Sequence, residues 1–266
     1  MQDIIQQLAS ELNKDPRHVE NVVRLLDEGN TIPFIARYRK ELHGAMDDTA
    51  LRTLADRLQY LRNLDKRREE VKSAIEGQGK LTEELSAAID AAATLAEVED
   101  LYRPYRQKRR TRATVAREKG LEPLAELLFA QAADGPAPEE AAGAFVDPEK
   151  GVETAEDALQ GASDIIAERI SDDADIRKRL RELVWKKGSL VSAAAAKEPE
   201  DTVYRLYYAF RSPLNRVQGH QVLAINRGER EGVLKVSVEM DREAALIPIR
   251  RAVLNLSLIH ISEPTR

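Results

Sequence analysis

One stripe of apolar residues constrains the fold of this chain more than any other feature. Between Asp48 and Glu76, apolar side chains recur at steps of three, four or seven residues, and charged residues occupy the opposite face. This spacing predicts one long amphipathic α-helix, ended by the Gly77–Gln78–Gly79 segment. The stripe consists of Leu51, Leu54, Leu58, Leu61, Leu64, Val71 and Ile75.

Shorter helices are predicted on both sides of the stripe. Apolar residues at helical spacing indicate a helix over residues 2–13, and Asp15 followed by Pro16 is a typical start for the next. The composition agrees, because 33% of the 266 residues are charged, 42% are hydrophobic and only 5% are aromatic. Such a balance indicates a mainly helical soluble protein.

The pattern changes towards the C-terminus. Residues 221–226 and 233–239 are rich in β-forming side chains, and the link between them is typical of a β-hairpin. The expected fold class is therefore mainly α, a multi-helix N-terminal domain with helix-turn-helix-like elements, followed by a small β-hairpin region. We expect a helical domain over residues 1–125, a helical continuation over 126–212, and the hairpin-containing start of another region over 213–255.

Residues 103–119, here called the basic segment, carry a concentrated positive charge. Eight bases stand against the single acid Glu118, a net charge of +7 in a chain whose formal net charge is −5. Bases that neutralise phosphates release counterions, and the neighbouring Tyr102 and Tyr105 offer rings for stacking on unpaired bases. We predict nucleic-acid contacts at Arg103, Arg106, Lys108, Arg109, Arg110, Arg112, Arg117 and Lys119. Pro104 places this run on an extended or turn segment rather than inside a helix.

An acidic stretch follows directly and supports an alternative. Residues 120–176 contain fifteen acids and two bases, a net charge of −13. In this alternative the basic segment pairs with the protein's own acidic helices, and the chain is a helical scaffold for protein–protein or interdomain docking. Charge runs are usually solvated surface, so the alternative stays open.

Nothing in the residues indicates an active site. The chain has no cysteine, which excludes disulfides, thiolate zinc sites and cysteine nucleophiles. His18, His43 and His220 have no partner at metal-binding spacing, so we interpret them as surface or capping residues. The short run from Gly77 to Lys80 is not a phosphate-binding loop. We expect no catalysis, no metal and no cofactor.

Other candidate surfaces have simpler interpretations. Residues 18–40 resemble a helix-turn-helix with Arg37, Arg39 and Lys40 facing phosphates, but an ordinary helical hairpin with Phe34 and Ile35 packed inward is favoured. The bases of the long helix are interpreted as its solvated face, although they would also extend the basic surface; they are Arg62, Lys66, Arg67 and Arg68. The aromatic residues near the C-terminus are expected in the core; they are Trp185, Tyr204, Tyr207, Tyr208 and Phe210.

Five stretches, in the right order, resemble the N-terminal region of the bacterial Tex family of transcription accessory proteins. They are TIPFIARYRKE (31–41), LRTLADRLQYLRNLDKRREEV (51–71), GQGKLTEEL (77–85), LAEVEDLYRPYRQKRRTRATVAREKGLEPLA (95–125) and HQVLAINRGEREGVLKV (220–236). The resemblance implies a non-catalytic part that binds RNA or single-stranded nucleic acid with the transcription machinery. It also implies downstream partners beyond Asn255: RNase H-like, helix-hairpin-helix and OB-fold RNA-binding domains.

The last eleven residues do not resemble the rest of the chain. LSLIHISEPTR (256–266) is what a transposase mosaic end used for sequencing libraries encodes when translated in frame. We interpret it as an artefact and the chain as a fragment of a longer protein. The N-terminus lacks a secretory signal and no apolar run has the length of a membrane span, so we expect a cytoplasmic protein with no membrane partner.

Overall fold

The computed structural model describes residues 2–133, 135–196 and 202–254. Within these residues, thirteen α-helices and one three-stranded antiparallel sheet form. The predicted fold class, mainly α with a small β region near the C-terminus, is confirmed. The chain divides into two compact units, Met1–Tyr102 and Arg103–Arg266. The tail at 256–266 lies outside the described residues.

The first unit is built around its longest helix. That helix spans Asp48–Glu76, as the stripe predicts, and all seven stripe residues are buried. The five shorter helices of the unit all contact it. The bounds are α1 (Gln2–Leu12), α2 (Pro16–Asp27), α3 (Ile32–Tyr38), α4 (Asp48–Glu76), α5 (Glu83–Ala91) and α6 (Leu95–Tyr102).

Local capping chemistry sets where these helices begin. The Asp15 carboxylate accepts a hydrogen bond from the Arg17 backbone N–H, and Pro16 occupies the first turn of α2. Thr82 caps α5 by accepting from Leu85 N. The start of α2 was predicted from Asp15 and Pro16, because a cap depends only on residues close by in sequence.

The second unit places its helices around one long helix, α10. The bounds are α7 (Arg112–Glu118), α8 (Glu122–Ala130), α9 (Pro138–Gly143), α10 (Ala155–Asp172), α11 (Ala174–Lys187), α12 (Gly219–Arg230) and α13 (Arg242–Val253). Helices α7, α8 and α9 pack on α10 through a core rich in alanine. Gly161 permits the close approach of α7: a Cβ there would lie 2.3 Å from Leu121 Cδ1 and 3.3 Å from Ala116 Cβ.

The sheet lies in the second unit. Strands β1 (Ser189–Ala194), β2 (Ala209–Pro213) and β3 (Leu234–Glu239) have the order β2–β1–β3, and both pairings are antiparallel. Central Ser192 faces Phe210 on one side and Val236 on the other. Its buried hydroxyl donates to the Tyr207 carbonyl.

The predicted hairpin between residues 221–226 and 233–239 is half wrong. The second run is β3, but the first lies inside helix α12. Ile225 and Gly228, three residues apart, are the buried positions of that helix, and a Cβ on Gly228 would lie 2.7 Å from Leu234 Cδ1. Close helix-to-strand packing thus overrides the β propensity of Val222, Leu223 and Ile225.

Two burial predictions are also wrong. His43, expected at the surface, is only 1% exposed. Trp185, expected in the core, is 60% exposed, and of the aromatic cluster near the C-terminus only Tyr204 is fully buried. Neither outcome depends on local spacing, because each depends on which elements pack against the residue.

Candidate nucleic-acid interface

The basic segment contains three kinds of local structure. Arg103–Tyr105 forms a short 3₁₀ turn, residues 106–111 are neither helix nor strand, and α7 begins at Arg112. Thr111 starts that helix by accepting a hydrogen bond from Thr114 N. The prediction of a non-helical run therefore holds for the first part, but Arg112 and Arg117 lie on α7.

A line of acids on α10 faces this segment. Asp164, Glu168 and Asp172 are four residues apart, so they lie along one face of the helix; we call them the acidic stripe. Their side chains are 17%, 16% and 12% exposed, respectively. Partly buried carboxylates need cationic partners, and the basic segment supplies them.

Three bases are held by the acidic stripe. Arg117 Nη1 lies 2.6 Å from Glu168 Oε2, and Arg103 Nε lies 2.9 Å from Asp172 Oδ1. Lys108 pairs with Asp172 and lies 3.5 Å from Glu168 Oε1. These cations tie the basic segment to α10.

The charge state of Glu168 follows from these contacts. Burial by itself raises the pKa of this carboxyl, but hydrogen bonds from Arg117 and Thr111 and the charge of Lys108 outweigh it and hold the pKa below its usual value. The same hydrogen bond raises the pKa of Arg117. Glu168 is therefore ionised at neutral pH and keeps its hold on the basic segment.

The other bases of the segment face solvent or make weaker contacts. Arg106 and Arg109 are exposed and form no ion pair with any residue that the structure describes. Arg110 pairs with Glu118 at 2.7 Å, and the Arg110 side chain is 69% exposed. Arg112 is 86% exposed and lies 3.6 Å from Asp164. Exposed pairs of this kind are worth at most about 1 kcal/mol, so a phosphate can replace the carboxylate.

Two open grooves border the segment. One, of about 550 Å³, is lined by Arg106, Lys108, Glu168 and Arg169 among others. The other, of about 420 Å³, is lined by Arg110, Arg112 and Lys119 beside Asp164. Lys119 also donates to the Gly151 carbonyl at 2.7 Å. All eight predicted contact residues thus lie in one region, but only Arg106, Arg109, Arg110 and Arg112 point outward without a strong partner.

The remaining candidates for a basic surface are mostly engaged. Arg62 forms a bidentate pair with Asp27, and Arg67 pairs with Glu99 at 2.6 Å. Arg67 also lies 5.5 Å from the Tyr102 ring, so part of that ring is covered. Ile35 is fully buried, in agreement with the favoured helical hairpin over residues 18–40.

One feature was missed from the sequence. Helix α11 has six bases against two acids, and it carries the exposed Trp185. The signal was present in the run RKRLRELVWKK, but Trp185 was expected in the core. Among the described residues, no three His, Asp or Glu side chains gather as a metal site, and no helix is long and apolar enough to cross a bilayer.

Comparison with known proteins identifies the family. The Tex-like protein N-terminal domain matches residues 2–76, and the Tex central region-like domain matches residues 134–256. The chain belongs to the Tex family. The resemblance found in the sequence is therefore confirmed, and the two Tex domains together cover most of the chain.

Individual Tex relatives agree. Protein tex of Bordetella pertussis is 47% identical over 244 residues, which are 91% of this chain and 31% of the relative. Transcriptional accessory protein Tex of Neisseria gonorrhoeae is 41% identical over 233 residues, 87% of this chain and 30% of the relative. Human S1 RNA-binding domain-containing protein 1 is 33% identical over 247 residues, with 90% of this chain and 24% of the relative covered. The chain spans about a third or less of the length of these relatives.

Proposed function

We propose that this chain is a non-catalytic nucleic-acid-binding part of a transcription accessory protein, with RNA or another single strand as its ligand. One observation carries the proposal. Arg106 and Arg109 are exposed and have no ion-pair partner among the described residues, in a segment that the acidic stripe anchors to α10. Anchoring fixes the backbone while leaving those guanidinium groups available to phosphates.

The binding mode follows from the residue types. Arginine donates two parallel hydrogen bonds to a phosphate and needs no base sequence for recognition. Arg106, Arg109, Arg110 and Arg112 would each displace counterions from the backbone, so binding depends strongly on salt and weakly on sequence. Lys108 and Arg117 instead position the segment.

The relatives support this role in general terms. One is named a transcriptional accessory protein, and the human relative is named for an S1 RNA-binding domain. We propose that downstream RNase H-like, helix-hairpin-helix and OB-fold domains of the longer protein share the same nucleic acid. We also propose that the protein acts in the cytoplasm.

A salt series tests the proposal. Binding of the 266-residue chain to a fluorescein-labelled single-stranded RNA is measured by anisotropy from low to moderate salt. Changing Arg106, Arg109, Arg110 and Arg112 together to Glu is expected to abolish tight binding and to flatten the slope of log K against log salt by about 3, since each contact to a single strand contributes about 0.7.

The control variant makes the same change in net charge at residues of the first unit. Lys14, Arg17, Arg24 and Arg52 are exposed in the first unit, and their joint change to Glu is expected to leave the salt slope within about one contact of the parent. Circular dichroism verifies that both variants fold. Absence of RNA binding by the parent, or equal slopes for the two variants, would overturn the proposal.

The alternative, a helical scaffold for docking, is favoured by a different observation. Several aliphatic side chains of the second unit are largely exposed, among them Val203 at 86%, Leu206 at 83% and Leu223 at 73%. Side chains of this kind are available for a partner to cover. Mixing the chain with the downstream part of a full-length Tex protein and measuring co-elution tests this role. Docking would be favoured if the two parts co-elute, if Leu206→Asp with Leu223→Asp abolishes the co-elution, and if the chain binds no RNA.

A further inference from the structure

Helix α11 presents an exposed aromatic ring in a basic surrounding. Six of its fourteen residues are Lys or Arg and two are acids, a net charge of +4. Trp185, the only tryptophan of the chain, is 60% exposed near its C-terminal end. Tryptophan is highly buried on average, so a large exposed ring needs an explanation.

The helical repeat defines the exposed face. Lys178, Arg181 and Trp185 are separated by three and four residues, so they lie on one side of α11, and all three are exposed. Arg179 and Lys186 border this side, and Lys187 follows at the C-terminal end of the helix; all three are exposed, and none forms an ion pair with a residue in the described ranges. Asp175 and Glu182 are the two acids on the same side, and both are exposed.

The helix is a firm support for this face. Ile176 is buried, and α11 contacts both α13 and the turn at Leu214–Arg216. Gly188 follows directly, and its carbonyl accepts a hydrogen bond from Leu214 N at 3.0 Å. Trp185 therefore sits on an anchored element, not on a loose loop.

The chemistry of this face selects its ligand. An apolar protein partner that covered Trp185 would also remove several cations from water without neutralising them, which is unfavourable. A nucleic-acid strand satisfies both features, because its phosphates neutralise the cations and a base can lie on the indole ring. The base must be unpaired, since bases inside a duplex are already stacked on one another.

We propose that the exposed face of α11 is a second nucleic-acid contact, where an unpaired base stacks on Trp185 and phosphates bind Arg179 and Lys186. The inference rests on the proposed function and adds a second contact, by base stacking, for the same single strand. It is carried by residues separate from the basic segment.

Tryptophan fluorescence tests the stacking directly, because Trp185 is the only emitter of its kind in the chain. The 266-residue chain is titrated with an oligouridylate of about 12 nucleotides and, separately, with a blunt RNA duplex of similar length. Quenching by the single strand but not by the duplex is expected. Unchanged fluorescence at saturating single strand would overturn the inference.

Substitutions give a second measurement. Trp185→Ala is expected to weaken oligouridylate binding about tenfold or more by anisotropy, and Trp185→Phe is expected to retain most of the affinity. Arg179→Glu with Lys186→Glu is expected to reduce the salt slope by about 1 to 2. Tyr38→Ala is the matched control, because Tyr38 is 58% exposed in the first unit. Equal affinity of Trp185→Ala and the parent would contradict the stacking.

The outcomes separate the two proposals. Loss of binding on reversal of Arg106, Arg109, Arg110 and Arg112, with Trp185→Ala binding normally, leaves the proposed function standing and removes this inference. If the variant with these four arginines changed to Glu still shows quenching and an unchanged salt slope, the contact at α11 is supported and the contact at the basic segment is contradicted. If the parent chain binds no oligouridylate, both proposals fail.

Discussion

Arg117 on α7 and Glu168 on α10 form a 2.6 Å hydrogen-bonded ion pair between residues 51 positions apart in sequence. Glu168 also accepts from the Thr111 hydroxyl at 3.0 Å, and that same threonine starts α7. One carboxylate thus orients a helix start, a helix side chain and Lys108. The packing of α7 on α10 therefore decides which bases of the basic segment are free to bind phosphates.

Neutralising the acidic stripe is expected to strengthen RNA binding. In Glu168→Gln with Asp172→Asn, Arg103 and Lys108 lose their anionic partners, and Arg117 keeps only Glu122, 3.4 Å away, so all three become more available to phosphates. The slope of log K against log salt, measured with single-stranded RNA, is expected to steepen by about 0.7 for each base that gains a contact. An unchanged or weaker affinity in a folded double variant would show that these bases act only in positioning.

The pair contributes to stability. Glu168→Gln is expected to lower the free energy of unfolding by about 1 to 2 kcal/mol, because a partly buried carboxylate that bonds two donors is lost. Glu126→Gln is the control: its pair with Arg169 has side chains 63% and 49% exposed, and the expected change is within about 0.5 kcal/mol. Urea titrations of both variants measure the difference. Equal losses would contradict this assignment.

The contribution of Glu168 is expected to depend on pH. Its pKa is lower in the folded state than in the unfolded state, where a glutamate titrates near about 4.3. Between these values the unfolded chain binds more protons, so stability falls as pH decreases. The difference between the parent and Glu168→Gln should therefore be full at neutral pH and shrink as pH falls below about 4.3 through the folded pKa. Urea unfolding at pH 7, 4 and 3 measures this difference in unfolding free energy. A difference that grows as the pH falls would contradict a lowered pKa of Glu168 in the folded state.

Gly161 is expected to tolerate no side chain. Ala at this position places a Cβ 2.3 Å from Leu121 Cδ1, so α7 and its basic segment must move or Leu121 must change rotamer. The expected cost is about 1 to 3 kcal/mol of unfolding free energy, as for other overpacked cores. Gly143→Ala, where nothing lies within 4 Å of the added atom, serves as the comparison and should be neutral or stabilising. Similar effects of both changes would refute the close packing of α7 on α10.

Gly44 combines a backbone and a packing constraint. Its φ is +60°, and a Cβ would lie 2.2 Å from Nδ1 of His18. Gly79 has φ of +68° but open space around it. Gly79→Ala should therefore lower the free energy of unfolding by about 1 kcal/mol, the cost of placing a side chain on a left-handed backbone. Gly44→Ala should cost clearly more in thermal or urea unfolding. Equal costs would mean that the His18 ring moves aside without penalty.

Local patterns were sufficient for much of this fold. The bounds of α4, the cap at Asp15 and the burial of the seven-residue stripe depend on residues within one or two turns of one another. The concentration of charge in the basic segment was equally visible. The sequence left two partners open for this charge, phosphates and the protein's own acidic helices. It could not assign individual pairs, because the acids that hold Arg103, Lys108 and Arg117 lie 50 or more positions further along the chain.

The sequence by itself therefore determined the helical class, the long helix, the family and the location of the positive charge. Only the tertiary structure decided which bases are held by α10, that residues 221–226 are helical, that His43 is buried and that Trp185 is exposed. The physical reason is the same in each case. Helix periodicity and capping are short-range, whereas burial and ion pairing depend on which distant elements pack together.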